Sequence, residues 1–379
     1  MLTICQKCNI PSSFPGIDFQ DGVCTFCRNH REEPHKTVAG ESRLKEILTS
    51  GESKKYHCVV PVSGGKDRCY VLLHVANRLR LNPLAVLFDS GFQSQTAKIN
   101  VERVCSALGV DLERGNATRF RRKIIKEALI IAHLRGKIER ICENCEQNLR
   151  AFALDVAIRH KIPFIVWGAT SFEERPEVFL DPNAMRQEAF GSKSSSALMP
   201  NLKQLPRQIL HQTRIRGNWF SKGRLTFHIA LLRYYCWRDN LEMISFDRFS
   251  KLNPFYQVSW DRNDVKLVHF FDYVRYDPFR QLETLQGIGW TAPKNRELKL
   301  DCLLYSLKNL QHMKESGITL DGFHLSVLVR NGLLEREAAI SKEAAIQADL
   351  EKDTQDVCRE FQVNLSFLDR KAASMSEGY

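Results

Sequence analysis

Long apolar runs are missing from this sequence, and none approaches the roughly 20 residues needed to cross a bilayer. The first residues also lack the basic segment and the extended apolar segment of a secretory signal. No internal repeat and no heptad array is present, which argues against a solenoid and a coiled coil. We therefore expect a globular protein without a membrane span that works in the cytoplasm.

The composition is that of an ordinary folded protein. Hydrophobic residues make up 43% and charged residues 26% of the 379 residues, which excludes a mainly disordered chain. The length suggests two or three globular units, at about 100–200 residues for each. The formal net charge is +11, and Ala189–Arg238 holds nine basic residues and no acidic one. This basic stretch is expected to attract polyanions, phosphorylated ligands or an acidic protein surface.

Cysteine is abundant, with twelve residues. In a reducing cytosol, closely spaced cysteine pairs indicate metal ligands or catalytic groups more often than disulfides. Two Cys-x2-Cys pairs near the start are separated by fifteen residues, and four thiolates complete a tetrahedron without an open position. Residues 1–35 are therefore predicted to form a zinc-binding element with a structural role. Its ligands are Cys5, Cys8, Cys24 and Cys27.

Strands and helices are predicted to alternate over residues 36–190. Short runs rich in β-branched and apolar residues predict buried strands. These runs are Tyr56–Val62, Leu84–Phe88 and Phe164–Trp167. Amphipathic patterns predict helices at Cys69–Leu81, Thr96–Leu108 and Asn148–His160. Gly109 is suited to end the second helix. The alternation favours an α/β fold with a parallel sheet covered on both faces, and residues 191–379 are predicted to form a basic, mostly helical region that binds the substrate or a partner.

A short polar turn, Ser63-Gly64-Gly65-Lys66-Asp67, separates the first predicted strand from the helix that follows it. Two glycines let the backbone approach an anion closely, and successive N–H groups with the helix N-terminus supply partial positive charge. Ser63 and Lys66 add side-chain donors. The pattern differs from the Walker-A loop, which needs four residues between its glycines. The turn therefore predicts a phosphate site of another type.

This turn resembles the pyrophosphatase (PP) loop of the N-type ATP pyrophosphatases, which cleave ATP between its α- and β-phosphates. Motifs in the rest of the chain resemble, in the same order, those of the N-acetyl sugar amidotransferases of lipopolysaccharide and nonulosonate biosynthesis. These motifs are Pro15–Phe19, Asp21–Cys24, Val59–Val62, Gly109–Leu112, Cys142-x2-Cys145, Ile165–Gly168, Glu173-Glu174, Asp272–Val274, Gly289-Trp290, Asp301-Cys302 and Gly332–Ala338.

The resemblance implies a Rossmann-like fold of the adenine nucleotide alpha hydrolase type and a set of roles for the loop. It implies that Ser63, Gly64, Gly65 and Lys66 hold the ATP phosphates and that Asp67 positions magnesium or the loop itself. It further implies that the strand ending at Asp89 borders adenine and that Gly168 flanks the nucleotide. Lys66, Asp67 and Arg68 are the catalytic candidates.

In the amidotransferase family, AMP activates a sugar carbonyl oxygen and ammonia from a separate glutaminase displaces it. The resemblance thus implies ATP, Mg²⁺ and Zn²⁺ as cofactors, an N-acetyl sugar or nucleotide sugar as acceptor and a glutaminase subunit as partner. The sequence departs from the family at two places. Arg68 occupies the position of the usual loop serine, and Ser90–Gln93 replaces an Asn-rich stretch. The first departure bears on nucleotide handling and the second on the choice of acceptor.

A third Cys-x2-Cys pair, Cys142 and Cys145, precedes a predicted helix. It is open to three interpretations. The pair binds a second metal with a distant ligand such as His133, or it carries sulfur as a thiolate whose pKa a helix N-terminus lowers, or it is structural. Sulfur transfer would make the protein a thiolation enzyme acting on tRNA or a small heterocycle through the same adenylate. A further alternative is a zinc-containing binding module that keeps a degenerate ATP loop.

Overall fold

The computed structural model describes residues 3–30, 38–51, 55–116, 139–170, 172, 227, 265–292 and 299–361. Its strands run β1 Phe19–Gln20, β2 Val23–Cys24, β3 Cys58–Val62, β4 Pro83–Asp89, β5 Leu112–Asn116, β6 Phe164–Trp167 and β7 Lys266–His269. Its helices run α1 Thr25–Arg28, α2 Val38–Thr49, α3 Lys66–Leu73, α4 Gln95–Leu108, α5 Glu139–Arg159, α6 Pro278–Gln286, α7 Tyr305–Ser316, α8 Leu320–Arg330 and α9 Arg336–Phe361.

A parallel sheet forms the centre, with strand order β5-β4-β3-β6-β7. Every residue of β3 and β6 is buried, as expected for strands covered on both faces. The chain moves outward from β3 through β4 to β5 and then returns to place β6 on the other side of β3. The point where the direction reverses lies between β3 and β6, and ligands of open α/β sheets bind outside the carboxyl ends of the strands there. The predicted Rossmann-like α/β class is confirmed.

Several predicted elements match closely. The strand Phe164–Trp167 has the predicted bounds, and α4 begins one residue before its predicted start. Ser94 caps α4 by accepting a hydrogen bond from the N–H of Ala97, and Gly109 ends it with φ +63°. The helix predicted at Asn148–His160 is longer, because α5 begins at Glu139.

Other elements differ from the prediction. The helix after the glycine turn begins at Lys66 instead of Cys69, and it gives way at His74–Arg78 to a π-helical turn. The strand β7 comes from beyond residue 190, so the region assigned to substrate or partner binding also completes the parallel sheet. This strand was not predicted because it has four residues, of which the first and last are exposed.

The N-terminal element packs against the C-terminal helices. Its buried cysteines, with Ile10 and Phe14, share a hydrophobic cluster with Ile318 and Phe323, which belong to the α7–α8 segment. The rings of Phe14 and Phe323 stack with centroids 5.7 Å apart. The two ends of the chain therefore form one packed unit, and the mainly helical C-terminal region is confirmed.

Some predictions fall outside the residues described. The basic stretch Ala189–Arg238 does so apart from Phe227, and so do Glu173 and Glu174. Among the helices that the structure describes, none is long and apolar enough to cross a membrane.

Candidate functional site

The predicted nucleotide-site residues of three strands meet at one edge of the sheet. Ser63, Gly64 and Gly65 follow β3, Asp89 is the last residue of β4, and Gly168 comes directly after β6. Because β3, β4 and β6 run parallel, their carboxyl ends lie together. The structure thus brings the loop, Asp89 and Gly168 to the edge where α/β proteins bind ligands, and the loop lies beside the reversal point.

Two glycines shape the loop in different ways. Gly64 has φ +87°, and a Cβ added there would lie 2.1 Å from the carbonyl oxygen of Ala97 in α4. Only glycine fits, because both the backbone angle and the space exclude a side chain. Gly65 is extended and forms the N-cap of α3, so the N–H groups of the first turn, which have no acceptor within their own helix, follow it directly.

Lys66 is 1% exposed, which is unusual for a lysine. Its ammonium donates hydrogen bonds to Asp67 Oδ1 at 2.6 Å and to the hydroxyl of Tyr276 at 2.9 Å. Tyr276 in turn packs edge-on against Phe271 and lies over Phe172, with ring centroids 5.2 and 4.9 Å away. A residue 210 positions away in the chain therefore holds the loop lysine.

The C-terminal segment contacts the loop at two more points. The indole of Trp290, which is 1% exposed, donates a 2.9 Å hydrogen bond to the carbonyl of Gly64. A Cβ added at Gly65 would lie 3.2 Å from Oδ2 of Asp301, so this carboxylate faces the loop. On the other side, the amide of Gln93 donates to the carbonyl of Ser63. The loop conformation is therefore set from several directions.

Arg68 is on the first turn of α3 and packs against Trp167, the last residue of β6. Its guanidinium carbon is 5.0 Å from the centre of the Trp167 ring, and that of Arg150 is 5.6 Å from the same ring. A Cβ at Gly168 would meet a methyl group of Val71 at 3.0 Å and Arg68 at 3.5 Å, so a side chain at this position would press on α3. Within the part of the chain that the structure describes, no carboxylate pairs with Arg68. Its charge is therefore available to an anion at the reversal point.

The carboxylate of Asp89 contacts residues close to it in the sequence. One carboxylate oxygen pairs with Lys98 at 2.6 Å, and the other accepts a 2.8 Å hydrogen bond from the N–H of Gly91. These contacts shape the turn after β4. A contact of Asp89 with adenine stays a prediction.

The four N-terminal cysteines form a second candidate site. Their sulfur atoms all lie within 4.8 Å of one another, with 3.9 Å between Cys5 and Cys27 and 3.7 Å between Cys8 and Cys24. A tetrahedral ion with metal–sulfur bonds of about 2.3 Å separates its ligands by about 3.8 Å. The donor set and the spacing therefore fit one tetrahedral metal ion, as the spacing of the two Cys-x2-Cys pairs predicted.

The thiols of this site differ from the core thiols in their electrostatics. Hydrogen bonds from Cys24 and Cys27 raise the pKa of Cys8 far above its usual value, whereas hydrogen bonds from Cys27 and Cys8 lower the pKa of Cys24 to about 2. In the core, burial raises the pKa of Cys58 and Cys69, which keeps both thiols protonated and inert. The clustered sulfurs share protons that a divalent cation displaces.

Cys142 and Cys145 lie within α5 and do not precede it, since that helix begins at Glu139. Their side chains fall outside the described residues, so metal binding by this pair stays a prediction. Tyr276 was not singled out from the sequence, and Trp290 and Asp301 entered only as family motifs without a role. Their contacts with the loop depend on tertiary packing, and the one sequence signal was the order of those motifs.

Comparisons with known proteins give limited matches. No protein-family model matches the chain. Over 92 residues, 24% of this chain, it is 32% identical to the uncharacterized protein MJ1599 of Methanocaldococcus jannaschii, and the match spans 33% of that protein's length. Among solved structures, the U34-tRNA thiolase NcsA from Methanococcus maripaludis with its 4Fe-4S cluster is similar at a TM-score of 0.31, with 11% identity over 100% of this chain and 93% of that chain. The fold assignment rests on the strand order and direction.

Proposed function

We propose that the protein is an ATP-dependent, AMP-forming enzyme that adenylates an acceptor. The observation that carries the proposal is the glycine loop at the carboxyl end of β3, held against α4 by Gly64 and followed directly by the N-terminus of α3. Backbone N–H groups at a helix N-terminus bind phosphate without a special side chain. Lys66, which is buried and paired with Asp67, supplies ammonium donors beside the loop, and Arg68, which pairs with no described carboxylate, adds positive charge on the same helix.

The proposed chemistry is positioning and charge stabilisation around the α-phosphate. The loop N–H groups and Lys66 bind the phosphates, and Arg68 stabilises the charge that develops on the departing diphosphate. Asp67 and Asp301 are the carboxylates that would hold magnesium, because one is on the first turn of α3 and the other faces Gly65. Magnesium would neutralise diphosphate charge when bound.

For the acceptor we propose an N-acetyl sugar or a nucleotide sugar, with ammonia supplied by a glutaminase partner. This part of the proposal is supported by the ordered motifs that resemble the sugar amidotransferases, among them Gly289-Trp290 and Asp301-Cys302. Trp290 and Asp301 both contact the loop, so two of these motifs lie at the site where the adenylate would form.

For the four-cysteine site we propose one structural zinc ion. Four thiolates at single-ion spacing leave no open coordination position. A 4Fe-4S cluster is also held by four cysteines, but it places four iron atoms between the sulfurs and needs a wider site. The observed sulfur spacing therefore favours the single ion.

Pyrophosphate release from ATP by the purified full-length chain tests the enzymatic proposal, with N-acetylated nucleotide sugars and ammonia as co-substrates. The matched variants are Lys66→Met and Lys352→Met, since Lys352 is exposed on α9. We expect Lys66→Met to lower release by about 100-fold or more and Lys352→Met to leave it within twofold. Equal release from all three proteins would refute the role of the loop. Absence of both release and ATP binding would favour the non-catalytic binding module.

Thiolation is the second candidate function. The observation that favours it is that the Cys142–Cys145 pair is carried by α5, the helix that packs on β3 and β4, the strands that end at the loop and at Asp89. The substrate would be a tRNA or a small heterocycle, attacked by sulfur after the same adenylation. Cys142→Ser and Cys145→Ser distinguish the candidates. Loss of product with unchanged pyrophosphate release and metal content supports sulfur transfer, and unchanged product formation refutes it.

A further inference from the structure

Two arginines of the C-terminal helices converge on the four-cysteine site. Arg336 is the first residue of α9, and its Nε donates hydrogen bonds to the carbonyl oxygens of Cys5 at 2.9 Å and Cys8 at 3.2 Å. Both acceptors belong to the same Cys-x2-Cys turn. One guanidinium therefore holds together the two backbone positions whose spacing determines where the first two sulfurs point.

Arg330, at the end of α8, approaches the sulfurs themselves. Its Nη1 donates to Ser326 Oγ at 2.9 Å and lies 4.0 Å from the sulfur of Cys8. The guanidinium also stacks over Phe26 and Phe323, with its carbon 5.3 and 5.9 Å from the ring centres. Packing against two rings restricts the arginine and keeps its charge beside the thiolate.

The two guanidinium groups offset the charge expected of a four-cysteine centre that holds a metal. Four thiolates and one divalent cation carry a formal charge of −2, and two guanidinium groups supply +2. The carboxylate next to them is that of Glu337, which pairs with Arg336 at 3.3 Å and is itself largely exposed. Burying a charged centre is costly unless it is compensated. The sequence positions that compensate it are more than 300 residues away from the cysteines.

Neutral contacts reinforce the junction. Asn9 directly follows Cys8, and its side-chain amide donates a 2.9 Å hydrogen bond to the carbonyl of Gly322 in α8. Ser13 donates to the carbonyl of Ser316, the last residue of α7, at 3.0 Å. Phe14 and Phe26 complete an aromatic cluster with Phe323. The residues that surround the metal ligands are thus drawn from both ends of the chain.

We propose that Arg330 and Arg336 form the second coordination sphere of the metal and that the centre is a clamp that joins the two ends of the chain. Metal binding and the docking of α7–α9 onto the N-terminal element are then energetically coupled. Metal strengthens the docking, and by the same thermodynamic linkage the docked arginines strengthen metal binding. The inference rests on the metal site and is independent of the proposed ATP chemistry.

The first experiment measures zinc release from the full-length protein to the chromogenic chelator 4-(2-pyridylazo)resorcinol. We compare Arg330→Met and Arg336→Met with Arg359→Met, because Arg359 lies on α9, is exposed and pairs with Asp356. Removal of an outer-sphere partner of a metal typically lowers affinity by about 10–100-fold. We expect release at least tenfold faster from the first two variants and wild-type release from the third. Equal release from all four proteins overturns the proposal.

The second experiment uses the wild type alone, so it remains decisive where a variant does not fold. Amide hydrogen exchange is followed before and after zinc is removed with EDTA. We expect exchange in Leu320–Arg330 to accelerate at least tenfold, while the strands β3 and β4 keep their protection. Unchanged protection of α8, or a purified chain that neither contains nor takes up zinc, overturns the proposal. Because no nucleotide is involved, a failure here is distinct from a failure of the ATP chemistry.

Discussion

The four-cysteine element and the glycine loop are two sites that differ in how far their parts are spread along the chain. All four cysteines of the candidate metal site lie within residues 5–27, and their spacing in the sequence is enough to predict the site. The loop is a run of five residues, but its geometry depends on Tyr276 and Trp290, which are 210 and 226 positions away from their partners. A set of metal ligands can thus be predicted from a short stretch of sequence, whereas the conformation of this loop depends on contacts with residues far away in the chain.

The same contrast holds for stability. Residues 1–30 hold all four cysteines of the candidate metal site, and we expect one bound cation to contribute a large part of the free energy that orders this segment. The loop has no such single contributor. A close backbone approach at Gly64, hydrogen bonds from Trp290 and Gln93 and the burial of Lys66 each restrain it. Single substitutions should therefore have the largest effect at the metal site and graded effects around the loop.

The largest effect is expected for Cys8→Ser. The variant removes a buried metal ligand, so we expect loss of metal and a drop of more than about 3 kcal/mol in the free energy of unfolding. Cys358→Ser is the control, because Cys358 is a half-buried thiol on α9 away from the cluster. Elemental analysis and urea unfolding measure the two effects. Full metal content in Cys8→Ser would show that the sulfurs do not bind the metal together.

A pair of glycine variants compares the loop with an ordinary helix end. Gly64→Ala should cost about 3 kcal/mol or more, because its Cβ would overlap the carbonyl of Ala97 at a positive φ. Gly109→Ala has a similar φ of +63° but no atom within 4 Å of the added Cβ, so about 1 kcal/mol is expected. Urea unfolding of both variants measures the difference. Equal costs would mean that the close approach to α4 contributes nothing.

The pH dependence tests the contact between the π-helical turn after α3 and the C-terminal segment. His74 is 2% exposed and packs edge-on against Phe270, and its burial lowers its pKa to about 4 although Glu41 acts in the opposite direction. Because an unfolded histidine titrates near 6.5, the unfolded state binds more protons between pH 6.5 and pH 4. Stability is therefore present above pH 6.5 and is lost as the pH falls towards 4, by about 3 kcal/mol.

Replacing His74 with leucine should remove this loss. Thermal unfolding of wild type, His74→Leu and His269→Leu between pH 4 and pH 7 measures it, with the exposed His269 as the control. The wild type and His269→Leu are expected to share one pH slope in this window. An unchanged slope in His74→Leu would assign the acid sensitivity to other groups.

The smallest effect is expected for Trp290→Phe. The variant leaves the buried carbonyl of Gly64 without its indole donor, which should cost about 1–3 kcal/mol, and it should weaken ATP binding because the loop is less restrained. Phe279→Leu provides a packing control, because Phe279 is partly buried and packs against the same core cluster as Trp290. Calorimetry of ATP binding and urea unfolding follow the two properties. Wild-type affinity with lowered stability would limit Trp290 to a structural role.

The sequence predicted the local parts of this fold and site well. Phe164–Trp167 was predicted with its observed bounds because a fully buried strand is a continuous apolar run. Gly109 was predicted to end α4 because a left-handed residue after a helix favours glycine. The four cysteines were predicted because metal ligands need a definite spacing. In each case the physical requirement acts within a few residues or within one motif.

The parts that were not predicted depend on long-range packing. A strand of four residues such as β7 has no pattern of its own and exists because β6 offers an edge to pair with. The engagement of Lys66 by Tyr276 and the approach of Arg330 and Arg336 to the cysteines join positions more than 200 residues apart. No periodicity or spacing encodes such contacts.

The residue types and spacings of this chain specify a parallel α/β sheet, a glycine turn suited to phosphate and a tetrahedral set of thiolates, because propensity, burial and ligand geometry act locally. Folding in three dimensions selected the partners that complete each site: Tyr276 and Trp290 at the loop, Arg330 and Arg336 at the metal. The reason is that side chains distant in sequence meet only after the core has brought their elements together, and a buried charge or carbonyl is then stable only beside a matching group.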